Sequence, residues 1–276
     1  MEHDLKLIKK TQGLQEKACK LCLRIKGKEM ADDKKLLCDR IFDLYKRAER
    51  DCVAQFSNFL DGAEQVTVMK NCFMSGFNTQ FYGGFPDAER KIFGVFPEWE
   101  EPGRFPLKVI EITHNFGGEL SHRDYLGSVL GLGIDRSKTG DILIEENSAF
   151  VYVTEQIADF IADNLKKIGS RGVKVSLKSI EDIKLPEKKF IEIPAVCASL
   201  RLDAVVGAAA NIARAKACAL ISGGLVKLNH IEQEKAATPV LEGDLLSIRG
   251  YGRFILLKTG NETRKGRIHI VLKKYV

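Results

Sequence analysis

Ser199-Leu-Arg-Leu-Asp-Ala-Val-Val-Gly207, Asn211-Ile-Ala-Arg-Ala-Lys-Ala-Cys-Ala-Leu-Ile-Ser-Gly-Gly-Leu-Val-Lys-Leu-Asn-His230 and Leu241-Glu-Gly-Asp-Leu-Leu-Ser-Ile-Arg-Gly250 form the stretch that organises the chain. Leu202, Val205, Val206 and Ala209 fall at i, i+3, i+4 and i+7, which predicts a short helix with one apolar side and leaves Arg201 and Asp203 off it. Asn211 is a candidate N-cap for a second helix, in which Ala217, Leu220 and Ile221 keep the same period and Gly223-Gly224 supplies the stop. Arg214 and Lys216 then lie beside the packing face and point outward. Leu225 to Asn229 alternates apolar and polar residues as a strand does, and a second strand begins at Gly243-Asp244. The expected unit is a helix pair and a β-ribbon, with basic side chains gathered on one side.

Charge is concentrated in the same region. Residues 195–276 hold 13 Lys and Arg against 6 Asp and Glu, a net of +7, although the whole chain is only +6. A basic end domain on a near-neutral body is the electrostatic footprint of a polyanion partner, because phosphate contacts and counterion release give affinity without sequence reading. A charge run alone is equally compatible with a solvated surface. The helix pair argues for the partner: Arg201, Arg214, Lys216, Lys227 and Asn229 should converge on one concave surface if the apolar stripes pack. Arg249 and Arg253 flank Gly250 and Gly252, where the backbone can approach a ligand closely, and extend that surface. An Arg fork can hold a phosphate through two N–H groups and stack on a base, and helix N-termini would add free N–H groups.

These residues carry a resemblance. Arg201-Leu-Asp203, Ala213-Arg214-x-Lys216, Ile221, Gly224-x-Val226-x-x-Asn229, Lys235 and Gly243-Asp244 resemble the S-four-type RNA-binding domain, an αL module. Ala213 departs from the Ser common before the Arg, and His230 from the Gly that often follows the Asn. The extension Arg249-Gly-Tyr-Gly-Arg253-Phe254 narrows the match to the YlmH-like family of bacterial ribosome-associated proteins, which His122-Arg-Asp-Tyr-Leu-Gly-Ser-Val-Leu-Gly-Leu-Gly-Ile-Asp-Arg136 and Gly140-Asp141 also resemble. The resemblance implies a factor that binds structured rRNA and tRNA on the ribosome, on the large subunit with a stalled peptidyl-tRNA, in translational quality control. It implies Arg201, Arg214, Lys216, Lys227, Asn229, Lys235, Arg249 and Arg253 as RNA contacts, with no cofactor and no metal. A role in cell division is the family's alternative association.

The rest of the chain fits an α+β protein of several small domains within 276 residues. Residues 1–61 read as an N-terminal helical region, since Leu37, Ile41, Leu44, Ala48, Cys52, Phe56 and Phe59 keep close to the helical period and Asp61-Gly62 offers a stop. Residues 62–181 read as a central α+β sandwich of ferredoxin-like or RNA-recognition-like type, 182–194 as a linker, and 195–276 as the RNA-binding module. Strands are expected at Gln65–Lys70, Lys91–Phe96, Leu107–Thr113, Asp141–Glu145 and Ala149–Val153. Ser121 with Asp124 should open one helix, and Thr154 another that Gly169 ends. No run of apolar residues is long enough to span a membrane and the N-terminus is charged, so a cytoplasmic location and no membrane partner are expected. Seven cysteines suit a reducing compartment, and Cys19-x-x-Cys22, with Cys38 and Cys52, reads better as buried thiols than as a metal site.

Two enzyme readings share this vocabulary. Pseudouridine synthases carry the same module beside an R-L-D-x-x-T-x-G-type motif, but here Val206 takes the Thr position and Ala208 the Gly position. His122 and Asp124 are better read as a capped helix start than as an acid–base pair. Gly127, Gly131 and Gly133 follow a helix start, whereas a nucleotide loop follows a strand. RNA binding without catalysis is the expectation, with an RNA-modifying enzyme as the alternative.

Overall fold

The computed structural model describes residues 32–115, 120–183, 185, 190–263 and 266–275; Cys19 and Cys22 lie outside these. Helix α1 (Asp32–Asp51) buries Cys38, Ile41, Leu44, Tyr45 and Ala48, as the helical period predicts. It stops at Cys52, which takes a left-handed φ of 54°, and β1 (Gln55–Leu60) follows where helix was expected. The reason is a bulge. Strand β1 pairs with a later strand with a register shift between Phe56 and Phe59. Residues three apart in a regular strand face opposite sides; the extra residue turns both rings toward one cluster, so the spacing mimics a helix. In α2 (Gly62–Asn71) the error runs the other way: Val66-Thr67-Val68 has strand character, yet Gln65–Lys70 is helical. The Asp61 carboxylate accepts the Glu64 N–H at 2.9 Å and Glu64 accepts the Asp61 N–H at 2.7 Å, a reciprocal cap, while Val68 and Cys72 pack on α1.

Strands β2 (Phe77–Tyr82) and β3 (Lys91–Pro97) complete an antiparallel sheet of order β1-β3-β2. Next come β4 (Leu107–Thr113), α3 (His122–Leu130), β5 (Thr139–Ile144), β6 (Ser148–Thr154), α4 (Glu155–Asn164), a small hairpin of β7 (Lys167–Ile168) and β8 (Arg171–Gly172), and β9 (Lys174–Lys178). The second sheet has the order β5-β6-β4-β9 and a βαββαβ succession, the ferredoxin-like arrangement. Helix α4 ends short of Gly169, which instead turns the β7–β8 hairpin with a φ of 59°.

Alternation along the strands sets the layering. Ile110, Ile112, Val151 and Val153 face α3 and α4, with Tyr125 and Ile161. Their neighbours Leu107, Val109, Phe150 and Tyr152 face the first sheet and meet Phe59, Phe85, Phe96 and Phe105. On the far side of that sheet, Phe93 and Val95 pack against α1 and α2. The order is helices, sheet, sheet, helices. One functional consequence is immediate: the sheet face on which RNA-recognition folds stack bases is buried here under the first sheet.

The chain then enters β10 (Phe190–Cys197), α5 (Leu202–Ala210), α6 (Arg214–Ser222), β11 (Val226–Leu228), β12 (Ile231–Glu232), β13 (Leu245–Ile248), β14 (Gly252–Glu262) and β15 (Ile268–Tyr275). These strands form one antiparallel sheet, β10-β15-β14-β13-β11-β12. Phe190 to Pro194, expected in the linker, pair with Tyr275 to Val271 as the start of β10. The two helices bend by 112° from one to the next. Their stripe of Leu202, Val205, Val206, Ala209, Ala217 and Ile221 packs on Val226, Leu246, Phe254 and Leu272. Asn211 is not the N-cap of α6: it closes α5 in a left-handed conformation, φ 51° and ψ 52°, which Asn tolerates, and Ala213 precedes α6. Among the described residues no single helix is long and apolar enough to cross a membrane.

Candidate nucleic-acid interface

The helix pair is joined by a buried carboxylate. Asp203, on the first turn of α5, is 2% exposed, and both guanidiniums read from the sequence converge on it. Arg214 donates to Oδ2 from Nε at 2.9 Å and Nη2 at 2.8 Å, and Arg201 donates to both carboxylate oxygens at 3.3 Å. The expectation that Asp203 lies off the packed side is corrected: an acid can be buried there because two cations cover it. Burial pushes its carboxyl up, but the hydrogen bonds from Arg201 and Arg214 outweigh that and hold it below its ordinary value. The arginines stay half open to solvent, with side chains 46% and 55% exposed. The result is two fixed forks side by side, each with donors left for a ligand.

A second group of basic residues lies across the ribbon. Lys227 on β11 is directly opposite Ser247 on β13, which is opposite Arg253 on β14, so the three stand abreast. A hollow of about 440 Å³ is lined by Lys227, Arg249 and Arg253 together with Gly250, Gly252 and Glu232. Lys216 reaches from α6 toward this turn, its Nζ 5.8 Å from the centre of the Tyr251 ring. Lys235 is exposed on the loop that closes over α5, where Leu202 and Asp203 donate their N–H groups to Thr238 and Ala236 at 2.8 and 3.1 Å. The start of α5 is therefore already occupied by the protein's own carbonyls, which corrects the idea that its N–H groups await phosphate. Asn229 also works within the fold. Its Nδ2 donates to Asp244 at 2.7 Å and its Oδ1 accepts the Leu245 N–H at 2.9 Å, tying β11 to β13.

The module docks on the first sheet's unit. Arg253 donates to Glu89, and a Cβ at Gly62 would overlap the imidazole of His230, so the two residues touch across the boundary. His230 holds a φ of 67°, the conformation that suits the Gly usual after this Asn. A cleft of about 720 Å³ runs along the seam, with His122, Arg136, Lys227 and His230 on its walls. The central motif serves mainly to join the two sheets. The Asp141 carboxylate accepts the N–H groups of Glu89 and Arg90, Arg90 donates to the carbonyls of Thr139 and Phe59 at 3.1 and 3.0 Å, and Arg136 donates to those of Thr139 and Gly140. Burial pushes the Asp141 carboxyl up. Asp124 accepts the Ser121 N–H at 2.8 Å and its hydroxyl at 2.7 Å, so it caps α3 as expected. Among the described residues no cluster of His, Cys, Asp and Glu could hold a metal.

Residues 101–182 match the family model described as "Putative RNA-binding domain in YlmH". The chain is 29% identical over 245 residues to the "Ribosome-associated protein quality control protein P2" of Bacillus subtilis, covering 88% of this chain and 95% of that one. The chain resembles the YlmH-like family in both matches. The "Cell division protein ylmH from Streptococcus pneumoniae" superposes with a TM-score of 0.49 at 21% identity, over 57% of this chain and 98% of that one. The stretch that matches the YlmH RNA-binding model is the βαββαβ unit, whereas the eight basic and polar positions read from the sequence lie on the C-terminal unit. What the sequence reading passed over is Lys166, Lys167, Arg171, Lys174 and Lys178, within a segment free of Asp and Glu. Its charge was hidden in the acidic total of the surrounding residues; a count over a short window exposes it.

Proposed function

We propose that this YlmH-like chain binds structured RNA, rRNA and tRNA, on the ribosome, on the large subunit that carries a stalled peptidyl-tRNA, and serves translational quality control in the cytoplasm without catalysis of its own. The observation that carries the reading is the pair of guanidiniums held by Asp203. Two planar forks fixed by one buried carboxylate are preorganised for phosphate, and little side-chain freedom remains to be lost on binding. Lys216, Lys227, Lys235, Arg249 and Arg253 extend the positive surface, while Asn229 holds the ribbon in register. The quality-control name of the Bacillus subtilis relative supports the destination. Ribosome co-sedimentation with subunits and tRNA separated is the test: the chain should pellet with large subunits, more so when peptidyl-tRNA is bound, and Arg214→Lys should reduce the bound fraction. Equal recovery with both subunits would sink the large-subunit assignment, and no recovery at low salt would sink the reading.

A further inference from the structure

We propose that the β7–β8 hairpin with the start of edge strand β9 is a second RNA contact, one that grips the phosphate backbone of an RNA duplex. The inference rests on the reading that the chain binds RNA and places a separate site on the central unit. Residues 166–178 carry five basic side chains and no acidic one, and all five are exposed. Lys178 lies 3.3 Å from Glu111, and the Asp124 carboxyl, held down chiefly by its hydrogen bonds from Ser121, also feels the charge of Arg171. Lys166, Lys167 and Lys174 have no carboxylate partner among the described residues.

Their placement is built into the fold. Lys167 pairs with Gly172 across the hairpin, and Val173 donates its N–H to the Lys166 carbonyl at 3.0 Å, so the chain doubles back and brings Lys166 and Lys167 beside Lys174. Ile168, 2% exposed, anchors the hairpin in the core between α3 and α4 and fixes how the lysines are presented. The Gly169-Ser170 turn and Gly172 have small side chains that let a rigid backbone come close.

The chemistry of the partner follows from what is absent and what is covered. The aromatic residues on the sheet of this unit, Phe150 and Tyr152, are buried against Phe59 and Phe85, so base stacking of the RNA-recognition kind has no free face. Residues 165–179 contain no aromatic side chain either. Ammonium groups on a fixed hairpin suit phosphates at the spacing of a duplex, read by shape and charge rather than by base.

The test uses the full chain and two probes, a paired RNA duplex and a single strand of the same length, with affinity followed across salt concentrations. The triple change Lys166→Gln, Lys167→Gln and Lys174→Gln should weaken duplex binding severalfold and flatten the slope of log affinity against log salt by about 0.9 for each lysine that meets a phosphate. Replacement of the same three by Arg should restore duplex binding. Unchanged duplex affinity and slope in the Gln variant, with binding still weakened by Arg214→Lys, overturns the second site and leaves the first. A loss confined to the single strand overturns the duplex assignment. Absence of RNA binding by the unaltered chain at low salt overturns the parent reading instead.

Discussion

Arg214 places both Nε and Nη2 on a single oxygen of Asp203, Oδ2, at 2.9 and 2.8 Å, while Arg201 spans both oxygens. Arg214 therefore covers a buried charge while its side chain stays half open to solvent, where the proposed RNA contact would use it. An outward-pointing arginine would be removable without loss of stability, but this one is not. Arg214→Ala should cost about 1–3 kcal/mol of folding stability because the carboxylate keeps only the longer Arg201 contacts. Arg214→Lys keeps a cation near Asp203 but loses the fork, so stability should recover more than RNA affinity does. Denaturant unfolding and RNA titration of both variants check this; an alanine variant as stable as the parent would show that Asp203 does not depend on Arg214.

The same carboxylate sets an acid limit. Although burial raises it, the two guanidiniums keep its pKa in the fold below the unfolded value of about 3.9. A depressed acid contributes stability that is fully present above the unfolded value and is lost as pH falls through the folded one. Asp203→Asn should therefore be less stable than the parent at neutral pH, and the difference should shrink below about pH 4. Urea unfolding of both proteins across that range measures it. A gap that stays constant with pH would mean the Asp203 charge contributes nothing.

How far the sequence could be read depended on whether its signals were local. The stripe from Leu202 to Ile221 and the strands β3, β4 and β6 followed from periodicity, since each buries one face or both against a continuous core. Four things did not. Phe56 and Phe59 needed the bulge opposite β3, which no spacing within β1 reveals. Asn211 looked like a cap for the helix after it and proved to be the left-handed end of the helix before it. The burial of Asp203 depends on Arg214 eleven positions away, and the covering of Phe150 and Tyr152 depends on a separate sheet. The basic positions were legible one by one; that two of them share a carboxylate and that Asn229 is a framework residue were tertiary facts.

At Gly62 the absence of a side chain is what makes room for the imidazole of His230, itself held at a φ that favours glycine. Gly62→Ala should lower the melting temperature, and His230→Gly in the same chain should relieve both the overlap and the backbone strain. The double variant should exceed the sum of the two single changes by at least about 0.5 kcal/mol, a coupling that independent sites do not show. Additive effects would mean that the C-terminal unit does not rest on α2 in solution.

Asp203 occupies the position where the R-L-D motif invites comparison with pseudouridine synthases, yet its carboxylate is enclosed by Arg201 and Arg214 within the C-terminal unit. Purified protein incubated with structured RNA should form no pseudouridine by nuclease digestion and mass spectrometry. Detection of product, and its disappearance in Asp203→Asn, would overturn the non-catalytic reading.

Arg253 stands abreast of Lys227 on the ribbon and donates to Glu89 of the neighbouring unit, with side chains 47% and 53% exposed. An ion pair this open contributes no more than about 1 kcal/mol, because water and salt screen it and both side chains lose freedom in holding it. If Arg253 is the RNA contact proposed above, a phosphate can displace Glu89 at little cost, and the carboxylate competes with it for the same guanidinium. Glu89→Gln removes the competitor and one repulsive charge at the edge of the basic surface. RNA affinity should then rise by at most about fivefold, the equivalent of that 1 kcal/mol, while the melting temperature barely moves. Arg253→Gln should weaken binding, and adding Glu89→Gln to it should give no further gain, because the competitor matters only while the arginine is present. A rise in affinity of the same size with or without Arg253 would place the effect of Glu89 in general surface charge rather than in this pair.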